Sequence, residues 1–176
     1  MVAEYLVFRG FSSTWTAFQT DLEDDALESF NSDRVVQSLW RHIEAGDYTR
    51  LLSSWSFLCE RLFRRLDTGT LATVNRVAAN LKRALIVHLV QTSRMQAVDD
   101  FFAEHMAALR DESLSLPPDL DWTPWFGVRF VTSHATDSYF APFFTPEWSS
   151  EVMVSLRNLL SLVFHHTPPP ALLQYD

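Results

Sequence analysis

A glycine-phenylalanine corner near the amino terminus constrains this chain more than any other feature. Residues 2–23 read VAEYLVFRGFSSTWTAFQTDLE, which places a short apolar helical face on each side of Gly10 and Phe11. Ser12 or Ser13 is suited to cap the second helix. Isolated helices of about ten residues are marginal in water, because few hydrogen bonds offset the cost of nucleation. The hairpin therefore needs a partner surface, and we expect that surface to belong to a second copy of the chain.

The apolar side chains of this hairpin recur at helical spacing, so we expect them to form the seam of a homodimer. Two copies would pack as a four-helix bundle. The residues of this predicted seam are Tyr5, Leu6, Phe8, Phe11, Trp15, Phe18 and Leu22. The alternative is a hydrophobic hairpin that packs only on its own chain.

The order of residues in the hairpin resembles a LisH motif, a helical hairpin that commonly dimerises. The resemblance rests on Tyr5 and Leu6 before the Gly10-Phe11 corner, and on an apolar residue every three or four positions after it. Trp15 and Phe18 stand where the family often has leucines.

Composition excludes several classes of protein. Hydrophobic residues make up 47% of the 176 positions and aromatic residues 14%, so the chain is expected to pack a core. The formal net charge of -8 argues against a nucleic-acid platform, which needs an electropositive face. The single cysteine, Cys59, cannot form an internal disulfide, and no signal peptide is recognisable, so we expect a cytoplasmic location. The most apolar window, residues 81–90, is too short to cross a bilayer, which excludes direct membrane insertion through this chain.

Helical periodicity continues after the hairpin, with recognisable start and stop signals. The first predicted helix is capped by Asn31 or Ser32 and ends at Gly46, and the second is capped by Asp47 and ends at 67–69. The third starts near Thr70 and ends within 91–93, and the fourth is capped by Ser93 and ends at 116–118. The last starts at 145–147 and ends at 168–170. Short connections favour antiparallel neighbours, so a stack of helical hairpins is predicted.

Residues 119–144 break this rhythm and are dense in aromatic side chains. We expect an ordered strap that seals an apolar groove on the helices. The alternative is a partner-binding surface that includes Trp122 and Trp125, because aromatic residues dominate interface energetics. A second candidate partner surface is the basic helix face of Arg61, Arg64 and Arg65, for which a solvated helix side is the simpler interpretation.

The predicted fold class is therefore all-α. It has three parts: a LisH-like dimerisation hairpin at 1–30, a helical hairpin stack at 31–116, and the aromatic strap with a C-terminal helix, packed on the same body, at 117–176.

Motifs that carry chemistry are not found in the sequence. Four scattered glycines form neither a phosphate-binding loop nor a dinucleotide fingerprint. His165 and His166 are adjacent and would point about 100° apart on a helix, and no other pair of histidines has a metal-ligand spacing. We therefore predict a protein that is not an enzyme and that uses no cofactor and no metal.

Several longer stretches resemble the amino-terminal region of the WD repeat-containing protein 91 family, and the resemblance spans essentially the whole chain. These stretches are YLVFRGF, SSWSFLCERLFRRL, FFAEHMAALRDE, DWTPWF and VSLRNLLSLVFHHTPPPALLQYD. In that family a coiled coil and a β-propeller follow, so we expect this chain to be part of a longer protein.

The resemblance implies a scaffold region of an endosomal adaptor. Such adaptors restrain the Beclin-containing phosphatidylinositol 3-kinase complex and promote early-to-late endosome conversion. They also bind a late-endosomal Rab GTPase, here through regions absent from this chain, and lie peripherally on early and late endosome membranes through partners. The alternative is a scaffold subunit of a ubiquitin ligase or ciliary complex, because residues 43–55 resemble the helical repeat that follows LisH motifs in ligase scaffolds.

Overall fold

The computed structural model describes residues 2–23, 31–64, 66–115 and 117–165. Every regular element in these ranges is a helix, which confirms the predicted all-α fold class. The chain divides into two compact units, Met1–Asn31 and Ser32–Asp176.

The first unit is a hairpin of two helices, α1 (Val2–Phe8) and α2 (Ser12–Glu23). Gly10 has a φ of 69°, a left-handed conformation that glycine adopts without steric cost. The Phe11 amide then donates to the Leu6 carbonyl at 2.9 Å, which closes α1 with the hydrogen bond of a Schellman motif. The carbonyl of Phe11 accepts the first hydrogen bond of α2, from Trp15 at 2.9 Å. Phe11 therefore holds the cap position that was predicted for Ser12 or Ser13.

The second unit begins with the helices α3 (Ser32–Ala45) and α4 (Tyr48–Leu58), which pack on each other. Gly46 ends α3 with a φ of 71°. The carboxylate of Asp47 accepts from the Arg50 amide at 2.9 Å and caps α4. Both boundaries agree with the sequence prediction, because each is set by the local chemistry of one residue.

The helix that contains α4 continues as a π-helix at Cys59–Phe63 and ends earlier than predicted. Asp67 was expected to mark the end of this helix. Its carboxylate instead caps the next helix, α5 (Thr68–Gln91), by accepting from the amides of Gly69 and Thr70 at 2.9 and 3.0 Å.

Helix α5 is the centre of the second unit. It packs against α3, α4 and two later helices, α6 (Met95–Ser115) and α7 (Pro146–His165). Residues 83–87 of α5 are buried without interruption, so this helix is covered on all sides. Ser93 does not cap α6 as predicted. It has a φ of 58° in the turn after α5, and the carbonyl of Arg94 accepts the first bonds of α6.

Residues between α6 and α7 form the predicted strap. It contains three short 3₁₀ helices, Pro118–Leu120, Thr123–Phe130 and Ala141–Phe144. The second packs on α6, and the third packs on α5 and α7. Pro146 is the first residue of α7, where its missing amide hydrogen costs nothing.

Candidate interaction surfaces

The helical hairpin exposes large apolar side chains. The exposed fractions are 54% for Tyr5, 61% for Val7, 87% for Phe8 and 42% for Phe11. None of the residues of α1 is buried. Most soluble chains cover such a cluster of apolar side chains, so this surface is suited to contact with another protein.

Other members of the predicted seam are less exposed. Leu6, Trp15 and Phe18 are half-buried. The rings of Trp15 and Phe18 contact each other with their centroids 6.2 Å apart. The side chain of Leu22 lies outside the described residues. Val7 was not in the predicted seam, because the sequence pattern emphasised the spacing of Tyr5 and Phe8.

Arg9 orders the corner of the hairpin. Its guanidinium carbon lies 5.9 Å from the ring centroid of Tyr5 and 5.4 Å from that of Phe11. Cation-π contacts of this kind contribute about 0.5–1 kcal/mol at exposed sites. Arg9 therefore links the Tyr5 ring of α1 to the Phe11 ring, which directly precedes α2, and helps to fix their spacing.

The strap requires a correction to the predicted partner surface. Trp122 and Trp125 are both fully buried, so neither side chain is accessible to a partner. Their rings contact each other at 6.2 Å, and the Trp125 ring also contacts Phe140 and Phe143 at 5.3 and 5.0 Å. The main expectation, an ordered strap that seals the helices, describes these two residues correctly.

Arg83 on α5 holds the strap in place, a role that the sequence pattern alone did not indicate. The side chain is 1% exposed, and its guanidinium donates to the carbonyls of Asp119 and Asp121 at 3.2 and 3.1 Å. The guanidinium carbon also lies 5.3 and 5.4 Å from the ring centroids of Trp122 and Trp125. Burial lowers the pKa of Arg83, because desolvation disfavours the charged form. One sequence signal was present: Arg83 interrupts the most apolar window of the chain.

Ion pairs and hydrogen bonds fasten the strap at further points. Arg76 pairs with Asp119, and Arg129 pairs with Asp99 on α6. The indole of Trp122 donates to Glu112 at 3.2 Å. The strap is therefore an integral part of the second unit, and its aromatic residues Trp122, Trp125 and Phe140 belong to the core.

The predicted basic face is accessible in part. The side chains of Arg61 and Arg64 are exposed, and Arg65 lies outside the described residues. Burial raises the pKa of the neighbouring Cys59 thiol, which keeps it protonated and weakly nucleophilic.

The described residues offer no cluster suited to a metal ion. No group of three or more histidine, cysteine or acidic residues there is placed to hold a metal ion. None of the helices described is both long enough and apolar enough to cross a membrane.

Comparison with known proteins identifies relatives of the whole chain. The family described as Armc9, CTLH-like domain matches residues 31–166. WD repeat-containing protein 91 of Bos taurus is 32% identical over 176 residues, which are 100% of this chain and 23% of the relative. The Danio rerio protein of the same name is 31% identical over 100% of this chain and 23% of its own length.

A more distant relative and the solved structures complete the comparison. The Dictyostelium discoideum WD repeat-containing protein 91 homolog is 25% identical over 210 residues, 100% of this chain and 26% of the relative. The chain thus spans about a quarter of the length of these curated relatives. No solved structure matches it.

Proposed function

This chain belongs to the Armc9, CTLH-like domain family, and we propose that it is a non-catalytic self-association and scaffold region of an endosomal adaptor. The observation that carries the proposal is the exposed apolar surface of the hairpin, where the Phe8 ring is 87% exposed. The similarity to WD repeat-containing protein 91, which covers all 176 residues of this chain, supports an endosomal context.

The proposed dimer follows from the energetics of the exposed rings. Full burial of a phenylalanine side chain contributes roughly 1.5–3 kcal/mol relative to exposure. Tyr5, Phe8 and Phe11 together give a second copy enough apolar contact to offset part of the entropy lost on association. Two-fold symmetry doubles each contact, since the same patch is used by both copies.

The proposed partner is the Beclin-containing phosphatidylinositol 3-kinase complex. In this proposal the dimeric chain contacts the complex, restrains its activity and so promotes early-to-late endosome conversion. A late-endosomal Rab GTPase would be bound by other parts of the longer protein. The chain would lie at early and late endosome membranes through these partners.

Affinity capture with the purified chain tests this proposal. We expect Beclin-complex subunits to be recovered directly from a reconstituted mixture of purified subunits. The control is the variant Val154→Ser, which changes an exposed apolar residue of α7 and should capture the same subunits. Failure of the wild-type chain to bind any subunit of the complex would refute the endosomal part of the proposal.

A second candidate function is a scaffold role in a ubiquitin ligase or ciliary complex. It is favoured by the match to a CTLH-like domain, which covers residues 31–166. Recovery of ligase subunits in the absence of Beclin-complex subunits would support this alternative.

A further inference from the structure

A groove lies beside the π-helix in the second unit. Its apolar floor is formed by Cys59, Phe63 and Val74, and Leu71 on α5 adds an apolar wall that is 37% exposed. Arg61 and Arg64 lie on its rim. A mostly apolar pocket with a few polar or charged groups is the usual composition of a ligand-binding site.

The two arginines on the rim differ from four other arginines in the second unit. Arg50, Arg76, Arg129 and Arg157 each pair with a carboxylate. Among the residues that the structure describes, neither Arg61 nor Arg64 has an acidic group within ion-pair distance. Among the described residues, these two guanidinium groups thus lack a carboxylate partner, although the net charge of the chain is -8.

The π-helix places these groups. Its wider turn lets Phe63 enter the core, where it is 2% exposed, while Arg61 and Arg64 stay at the surface. The π-helix forms the C-terminal end of the helix that contains α4, and π-helices are rare in proteins. The local irregularity and the two rim arginines therefore coincide at one groove.

We propose that this groove binds a short acidic segment of a partner protein. Carboxylates of the segment would accept hydrogen bonds from Arg61 and Arg64, and an apolar side chain between them would lie on Leu71 and Val74. Guanidinium groups suit this role because their planar donors match the geometry of carboxylates. Glu60 also lines the groove, so a segment with two or more acidic residues is needed to outweigh its repulsion.

The observations favour a peptide over an anionic membrane surface. A membrane is flat and presents no side chain to an apolar floor. The net charge of -8 would also repel an anionic bilayer, whereas a narrow segment meets only the local field of the two arginines. This inference goes beyond the proposed function, since it holds whether or not the chain dimerises or acts at endosomes.

Peptide selection on the full chain tests the inference. A phage-displayed library of short random peptides is selected on the immobilised protein, and the enriched peptides are synthesised for measurements of Kd. We expect enriched sequences to combine acidic residues with leucine or phenylalanine. The double variant Arg61→Glu/Arg64→Glu should weaken their binding roughly tenfold or more, because charge-assisted hydrogen bonds become repulsions.

Matched controls locate the binding. Arg41→Glu makes one such charge reversal, half of that in the double variant, at an exposed position of α3 and should leave Kd unchanged. All variants should show the thermal unfolding of the wild type by circular dichroism, since the altered side chains are exposed. Cys59, the only cysteine, reports on the groove, and bound peptide should slow its alkylation by iodoacetamide.

Four results would overturn the inference. Enriched peptides without acidic residues would contradict the role of the arginines. Equal Kd for the wild type and the double variant, or alkylation of Cys59 at an unchanged rate, would place the binding elsewhere. The wild type could instead sediment with phosphatidylserine vesicles while the double variant does not. If the selection also enriched no acidic peptide, the arginines would be assigned to a membrane.

Discussion

Replacement of Arg83 by methionine tests how the strap is held on the helices. The substitution removes the guanidinium and keeps an unbranched apolar side chain in the core. It leaves the carbonyls of Asp119 and Asp121 without their donor and removes the cation-π contacts to Trp122 and Trp125. The strap would then be held by packing, by the ion pairs of Arg76 and Arg129, and by the hydrogen bond from Trp122 to Glu112.

The magnitude follows from these contacts. Hydrogen bonds from a charged group contribute about 1.5–3 kcal/mol each, and a desolvated cation-π contact contributes about 2 kcal/mol. The variant no longer buries a charge, and the avoided desolvation cost offsets part of this sum. That cost is also the reason for the lowered pKa of Arg83. We expect Arg83→Met to lower the free energy of unfolding by about 2–4 kcal/mol.

Urea denaturation followed by tryptophan fluorescence measures this effect, because Trp122 and Trp125 lie directly against the altered side chain. The matched control is Arg76→Met, on the same helix and in an exposed ion pair with Asp119, which should cost no more than about 1 kcal/mol. If the two variants were equally stable, Arg83 would not be the residue that holds the strap.

Two further predictions concern the ends of helices. Gly46→Ala should lower the free energy of unfolding by about 1–3 kcal/mol, because φ is 71° and the added Cβ would lie 2.5 Å from Arg94 Nη1. Urea titration measures this change. The control in the same titration is Gly127→Ala, where the added Cβ meets no atom within 4 Å. Hydrogen bonds from Thr70 lower the pKa of Asp67 in the folded chain. The ionised Asp67 carboxylate therefore stabilises the fold above the ordinary aspartate pKa of about 3.9, and this stabilisation is lost as pH falls through the lowered pKa. Asp67→Asn should therefore flatten the acid limb of the stability curve, and an unchanged limb would show that this cap does not contribute.

Helix boundaries set by single residues were predictable from the sequence. Gly46 and Asp47 act through local backbone conformation and one short hydrogen bond, so their roles can be recognised without tertiary structure. Ser93 was misassigned because serine serves both as a helix cap and, here, as a left-handed residue in the turn. The choice between these roles depends on how α5 and α6 meet.

The details of packing were less predictable. The π-helix at Cys59–Phe63 has no periodicity of its own in the sequence, and its register follows the burial of Phe63. The aromatic content predicted that the strap lies on the helices, but it did not show that Arg83 enters the core beneath Trp122 and Trp125. A buried cation depends on carbonyls supplied by a distant segment, which no local pattern reveals.

The self-association seam stays a prediction, because it depends on the surface of a second molecule. Periodicity within one chain indicates which side chains share a helix face and need cover. The exposure of Tyr5, Phe8 and Phe11 is consistent with that need and does not identify the molecule that meets it.

The molar mass of the chain in solution tests the central claim most directly. Light scattering across a micromolar concentration series should give twice the 20.3 kDa of one chain for the wild type and for the control Val154→Ser. The double variant Phe8→Ser/Phe11→Ser should give the mass of one chain with unchanged helical content. A wild-type mass of 20.3 kDa at every concentration would contradict self-association through the hairpin.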